Sequence, residues 1–346
     1  MTGLSRLELL ASAAATAFLI TLAATPLVRR AAVAMGWLDR PESAVKTHTV
    51  PVPALGGVAV WLGFAGALVT ARFLTTFPTG TLYRLRAVLA GAALVFVLGV
   101  VDDLKKPEGL GWKTKMGVQA AAAGLLIHFG IKIRFLQPDY LGTTLTFFWV
   151  VGICNAVNII DIMDGLAASQ AAAAALGFWL IALPSEEIYV NFGAAALLGA
   201  ALGFLPWNFS SRYKIFMGDS GSLLLGFVLS ALALGADYTR VNPLGVYAPL
   251  LILAVPMYDT FYVMIVRLFK GISPFLGSKD HFALRLERMG FTRPQIVALS
   301  LVASLFLSAA AWLVTVLSTP WAVGLYAGLG VLVGLVTWHI SQVDMR

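Results

Sequence analysis

Between residues 155 and 165, polar side chains recur at every third position of an otherwise apolar segment: Asn155, Asn158, Asp161 and Asp164, with Gly165 closing the run. On a helix, residues three apart lie on adjacent rows, so these groups line one slowly drifting face until the glycine ends the turn. Two carboxylates at a helix C-terminus oppose the helix dipole and are costly beside a lipid-facing wall. Water, a metal ion or a polar substrate is the partner they require. The structural alternative is that Asp164 caps a helix starting at Gly165-Leu166.

Two further acidic stretches have the same character. Asp102-Asp103 precede Leu104-Lys105-Lys106-Pro107-Glu108-Gly109, and Lys113 and Lys115 follow. Adjacent helical residues diverge by about 100°, so both aspartates face one cation only if the helix ends there, as the proline and glycine indicate. Paired carboxylates repel, which suits magnesium or phosphate chemistry; the alternative is a solvated helix end balanced by Lys105 and Lys106. In Phe216-Met217-Gly218-Asp219-Ser220-Gly221-Ser222, preceded by Asn208, an acid stands at the start of an apolar helix among small residues. Unpaired backbone N–H groups there suit phosphate oxygens and the carboxylate suits a metal, although an N-cap role for Asp219 is the alternative.

The elements that must position these groups are membrane helices. Of 346 residues, 59% are hydrophobic and 12% charged, and mean hydropathy is +0.86, which defines an all-α polytopic integral membrane protein, read as a single transmembrane domain over 1–346. A span needs about 20 mainly apolar residues. About eleven segments approach that, near 7–28, 54–72, 84–101, 113–130, 147–161, 165–183, 188–205, 220–236, 244–268, 294–317 and 321–340. The first is read as a retained span rather than a signal peptide. Alternating stretches at 131–135 and 143–147, around Gln137-Pro138-Asp139, predict a small extracytoplasmic β-hairpin. The single cysteine, Cys154, excludes an intramolecular disulfide and a cysteine metal cluster, and is read as core.

With the N-terminus outside and the C-terminus inside, only Arg6, Arg72, Arg84, Arg86, Lys132, Arg134 and Arg240 of the 24 Lys and Arg fall outside. The positive-inside rule favours that orientation, and it places every acidic motif at a cytoplasmic helix end in the inner membrane. The first inner loop carries Lys46 and His48 before Pro51, Pro53 and Gly56-Gly57; both are candidate ligand contacts, against the common case of a solvated loop. Pro256 is expected to bend the ninth span, aiming Asp259 toward the loops or pairing it with Arg267. Over 278–290, helical spacing puts His281, Arg285 and Arg288 on one stripe and Phe282, Leu286 and Met289 on another. This predicts an interfacial helix whose cationic stripe closes over a diphosphate, against a purely topological basic loop.

Taken together, Lys46-x-His48-x-x-Pro51-x-Pro53-x-x-Gly56-Gly57, Asp102-Asp103, Asn155-x-x-Asn158-x-x-Asp161-x-x-Asp164-Gly165-Leu166, Phe216-Met217-Gly218-Asp219-x-Gly221-Ser222 and Pro256-x-x-Asp259-Thr260 resemble the polyprenyl-phosphate N-acetylhexosamine-1-phosphate transferases, the glycosyltransferase 4 family. The resemblance covers residues 39 to 293, and Ser273-Pro274-Phe275 is more similar to the branch using UDP-N-acetylglucosamine than to the phospho-N-acetylmuramoyl-pentapeptide branch. It implies transfer of a sugar-1-phosphate from a UDP-N-acetylhexosamine to polyprenyl phosphate in the bilayer, with release of UMP. Magnesium, with manganese as its substitute, is the implied cofactor. By the same resemblance Asp102, Asp103 and Asp219 are catalytic, with Asp219 and Asp102 on the metal. Lys46, His48, Asn155, Asn158, Asp161, Asp164, Asn208, His281 and Arg285 bind substrate. One departure stands out, because Lys279-Asp280-His281-Phe282-Ala283-Leu284-Arg285 keeps a single histidine where that family clusters several. No nucleic-acid partner is expected, and a homodimer is left open. The competing classes are an intramembrane aromatic prenyltransferase, which gives the Gly-Asp-Ser-Gly-Ser loop no role, and a secondary transporter, whose acids belong near the bilayer midplane.

Overall fold

The structure, a computed structural model, describes residues 5–41, 49–77, 80–184, 187–273 and 278–345; Lys46 and His48 lie outside the described residues. The chain enters through α1 (Arg6–Ala34), whose start is closed by a capping box between Ser5 and Glu8. There follow α2 (Gly56–Leu74), α3 (Thr81–Leu104), α4 (Trp112–His128), α5 (Asp139–Ile159), α6 (Leu166–Ala182), α7 (Ile188–Asn208) and α8 (Gly218–Ala233). A 3₁₀ turn (Pro243–Tyr247) leads into α9 (Ala248–Ile252) and α10 (Ala254–Phe269), and α11 (Phe282–Arg288), α12 (Arg293–Val316) and α13 (Thr319–Ser341) complete the chain. The sheet present is a two-residue antiparallel pair of β1 (Leu38–Asp39) and β2 (Val52–Pro53), with Leu38 opposite Pro53.

Burial sorts the helices into layers. Every residue of α8 from Ser220 to Ala233 is buried, so a helix apolar all round sits at the centre, against α3 and α5. Helices α2, α6 and α7 also pack on it, α1 lies outside them against α2 and α7, and α13 is largely exposed, as a lipid-facing helix should be.

Each of the eleven apolar segments coincides with a helix or a broken pair, but the expected number of spans is not matched. Among the described residues, seven helices are long and apolar enough to cross a membrane, or eight if the pair bent by 73° between Pro243–Ile252 and Ala254–Phe269 is one span. Helices α6 and α8 are apolar but shorter. The chain is thus a multi-pass membrane protein with short helices buried among long ones. The bend falls at Leu253 rather than at Pro256, which lies in the first turn of α10, where its missing N–H is harmless.

The predicted β-hairpin is absent. Residues 143–147 belong to α5, which starts at Asp139 behind Pro138, and Thr146 satisfies its hydroxyl within the helix by donating to Gly142 O at 2.7 Å. Residues 131–136 cross instead over Gly142, where a Cβ would meet the Ile133 carbonyl at 2.3 Å. The interfacial helix expected over 278–290 is also corrected. α11 has seven residues, and Phe282, Ala283, Leu284, Arg285 and Leu286 are all buried while Arg288 and Met289 are exposed, so neither stripe faces one medium.

Candidate active site

Helix α3 ends on its two aspartates, and α8 begins beside them. At Gly99 of α3 a Cβ would meet Ser220 Cα at 2.4 Å, so the missing side chain lets the backbones touch. Gly218, at φ +73°, turns the chain into α8 against the Asp103 carboxylate. The loop ahead is fixed by α2, whose Gly56 and Gly57 N–H groups donate to Phe216 O and Met217 O at 2.9 and 2.8 Å.

These contacts gather three carboxylates. Asp102, Asp103 and Asp219 each place an oxygen within 4.8 Å of the others. Two lysines stand among them. Lys106 Nζ donates to Asp103 Oδ1 at 2.8 Å and Asp219 Oδ1 at 3.2 Å, and Lys115 Nζ, from α4, lies 2.7 Å from Asp219 Oδ2 and 2.9 Å from Asp102 Oδ2. Burial opposes the charge on Lys106, but Asp219 and Asp103 outweigh it and hold the ammonium above its usual range. The members differ in what else they do. Asp103 accepts from Asp219 N–H at 2.9 Å and Ser220 N–H at 3.0 Å, capping α8 from another helix, which leaves Asp102 and Asp219 as the carboxylates with more free lone pairs. Asp102 accepts from Leu110 N–H at 2.6 Å, which ties the loop back to α3.

The Asn155–Asp164 motif lies alongside. Asn158 donates to Ser222 Oγ at 2.8 Å, linking α5 to α8, and Asn155 donates to Gln119 Oε1 at 2.8 Å. Asp161, in the turn after α5, lies in the field of Lys106, Asp219, Asp103 and Asp164. Burial pushes its carboxyl up to about 7, with Lys106 opposing and the three acids adding. Asp164 pairs with Lys214 at 2.5 Å and does not cap α6, whose N-cap is Gly165.

Other predicted residues have partners of their own within the chain. Asn208 is buried and accepts from Gly165 N–H while donating to Ile215 O at 2.9 Å, so it joins the two site loops to each other. Arg285 is buried under the C-terminal helix, donating to Val343 O at 2.7 Å and Asp280 O at 3.3 Å with its guanidinium over the Tyr262 ring. His281 Nδ1 lies 2.7 Å from Asp259 Oδ2, so of the two expectations for Asp259 the one reaching toward the loops is realised. Lys115 and Lys106 are the functional candidates that residue patterns did not single out. Their signal was only a pair of basic residues flanking Pro107 and Gly109. A separate cavity of about 500 Å³, lined by Arg84, Trp149, Glu187 and Tyr247 among others, opens near the start of α3, at the far end from the carboxylates.

The chain is thus a multi-pass helical membrane protein in which acids and lysines converge on one helix end. Residues 85–237 match the sequence profile of Glycosyl transferase family 4. The chain is 32% identical to the Bacillus subtilis protein named "Probable undecaprenyl-phosphate N-acetylglucosaminyl 1-phosphate transferase", over 83% of this chain and 80% of that one. It is 32% identical to the Mycobacterium tuberculosis decaprenyl-phosphate N-acetylglucosaminephosphotransferase, over 82% and 76%. With the Escherichia coli K12 undecaprenyl-phosphate alpha-N-acetylglucosaminyl 1-phosphate transferase it shares 28% identity over 84% and 80%. The chain belongs to glycosyltransferase family 4.

Proposed function

We propose that the protein transfers N-acetylglucosamine-1-phosphate from UDP-N-acetylglucosamine to a polyprenyl phosphate, releasing UMP, with the site at the cytoplasmic face of a bacterial inner membrane and the N-terminus outside. The carrying observation is the convergence of Asp102, Asp103, Asp219, Lys106 and Lys115 from three helices and a loop, in a chain whose relatives bear that activity in their names. The same names favour N-acetylglucosamine over the muramoyl-pentapeptide donor. Neither a prenyltransferase nor a transporter explains lysines held among the acids.

The carboxylates suit a magnesium ion. Three hard oxygen donors face two ammonium groups, leaving negative charge in excess, and Asp102 and Asp219 would hold the ion while Asp103 keeps α8 in place. When bound, such an ion supplies positive charge for the diphosphate and the leaving UMP. The remaining work falls to this chain's own groups. Lys106 and Lys115 present N–H donors to phosphate oxygens. The acceptor's second phosphate pKa is about 6, so it arrives largely dianionic and needs positioning more than deprotonation. Asn158, in the last turn of α5, and Asp161 and Asp164, on the turn between α5 and α6, bind nucleotide and sugar. Membranes containing the chain, given UDP-N-acetylglucosamine labelled in the sugar and undecaprenyl phosphate, should form organic-soluble label and UMP, and should stop on chelation and resume with added Mg²⁺. Label that stays water-soluble would refute the assignment.

A further inference from the structure

Helix α10 turns a buried carboxylate toward the segment that leads into α11, and the reaction above assigns that carboxylate no task. Asp259, on α10, is fully buried. Its Oδ2 lies 2.7 Å from Nδ1 of His281, and its Oδ1 accepts from the Phe282 backbone N–H at 3.0 Å. One carboxylate therefore grips the side chain and the backbone of neighbouring residues, and the ring cannot turn away without stripping a buried charge of a donor. Because a carboxylate only accepts, the proton of this contact sits on Nδ1. The other ring nitrogen, Nε2, has no hydrogen-bond partner among the described residues. Unlike the Tyr262 hydroxyl and the Gln170 amide, it is not a sealed orphan.

The helix that carries Asp259 packs on α5, which leads into the turn of Asp161 and Asp164. Phe282 and Ala283 share a buried apolar cluster with Ile160, Met163 and Leu166, which flank Asp161 and Asp164. Ala283 and Leu284 are buried in that same cluster, so His281 is the one imidazole this segment offers. A carboxylate behind Nδ1 fixes the ring's tautomer and steadies a positive charge on it, and the charged ring donates from Nε2.

We propose that Asp259 is a positioning residue for donor recognition, holding His281 so that Nε2 meets a phosphate oxygen of the nucleoside diphosphate sugar. This rests on the functional reading above, and two measurements on the full chain separate them. The chain has four histidines, so ¹⁵N-histidine labelling in detergent micelles gives few signals, and His281→Ala identifies those of residue 281. The wild type should show a protonated Nδ1. Asp259→Asn keeps the acceptor for the Phe282 N–H but turns an NH₂ toward the ring, so Nδ1 should lose its proton and the ring its charge; an unprotonated Nδ1 in the wild type would overturn the geometry. In initial-rate kinetics, Asp259→Asn should raise the UDP-N-acetylglucosamine KM about ten- to hundredfold, as loss of an orienting partner does, with the polyprenyl-phosphate KM unchanged. Placed in the His281→Ala background, the same change should cost nothing more. An equal cost in both backgrounds, or wild-type donor KM in Asp259→Asn, would overturn the positioning role. Absence of transfer by the wild type would overturn the functional reading and the donor role with it, while the nitrogen spectra judge the ring separately.

Discussion

Two charged clusters, one around Asp219 and one around Asp280, look alike in sequence and differ in how their members are satisfied. Around Asp280, Lys270 approaches to 2.6 Å, and Arg285 spends its N–H groups on Asp280 and on the carbonyls of Ile340 and Val343. Burial works against the Asp280 charge, but Lys270, Ser278 and Arg285 hold the carboxyl below its usual range. Around Asp219, three carboxylates share two ammonium groups and stay in mutual reach, an arrangement that gains from an added cation. The first kind of cluster locks a loop to the C-terminal helix. The second is the cluster to which we assign the proposed chemistry.

The largest effect that would break this contrast concerns Asp219. Asp219→Asn keeps size and one acceptor but removes the charge that holds the ion, so transfer should fall by about a hundredfold or more while yield in the membrane stays normal. Near-normal turnover at limiting Mg²⁺ would contradict the metal role. The opposite pattern is expected at Arg285. Arg285→Ala leaves carbonyls of Ile340 and Val343 and the Asp280 carboxylate short of a donor, so thermal stability in detergent should drop by about 1.5 to 3 kcal/mol for a lost charged hydrogen-bond network. The donor KM of the folded fraction should stay within about twofold of wild type; a large rise would return Arg285 to the substrate.

A smaller effect tests the field around Asp161. Its carboxyl titrates at 3.8 when free and about 7 in the folded protein, so the folded state binds the proton more tightly. The contribution of Asp161 to stability should therefore be greatest below pH 3.8, fall as pH rises toward about 7, and level off above it. Melting curves of wild type and Asp161→Asn over that range should converge at low pH, with the wild type losing ground as pH rises. Parallel curves would show that Asp161 ionises freely.

The helices were legible because apolar runs of span length admit few alternatives; each of the eleven segments found a helix. Their roles were less so, because apolarity does not separate a lipid-facing helix such as α13 from a buried one such as α8. The hairpin failed because five alternating residues at 143–147 run in phase into a longer helix started by Pro138 and Asp139. In the site, Asp102, Asp103 and Asp219 were legible as acids without apolar excuse. That Asp103 caps α8 and that Lys115 reaches Asp219 are long-range facts set by how α3, α4 and α8 meet, that Asn208 joins two loops is set by α7 ending beside the start of α6, and no local spacing encodes them.

The central claim is that a sugar phosphate, and not a bare sugar, leaves the nucleotide. UDP-N-acetylglucosamine carrying ³²P in its β-phosphate and ³H in its sugar, given to the purified protein with undecaprenyl phosphate, separates the two directly. The account predicts that both labels enter the organic phase in equal amounts and that unlabelled UMP is the nucleotide product. Tritium in the lipid with ³²P left behind as UDP would contradict it.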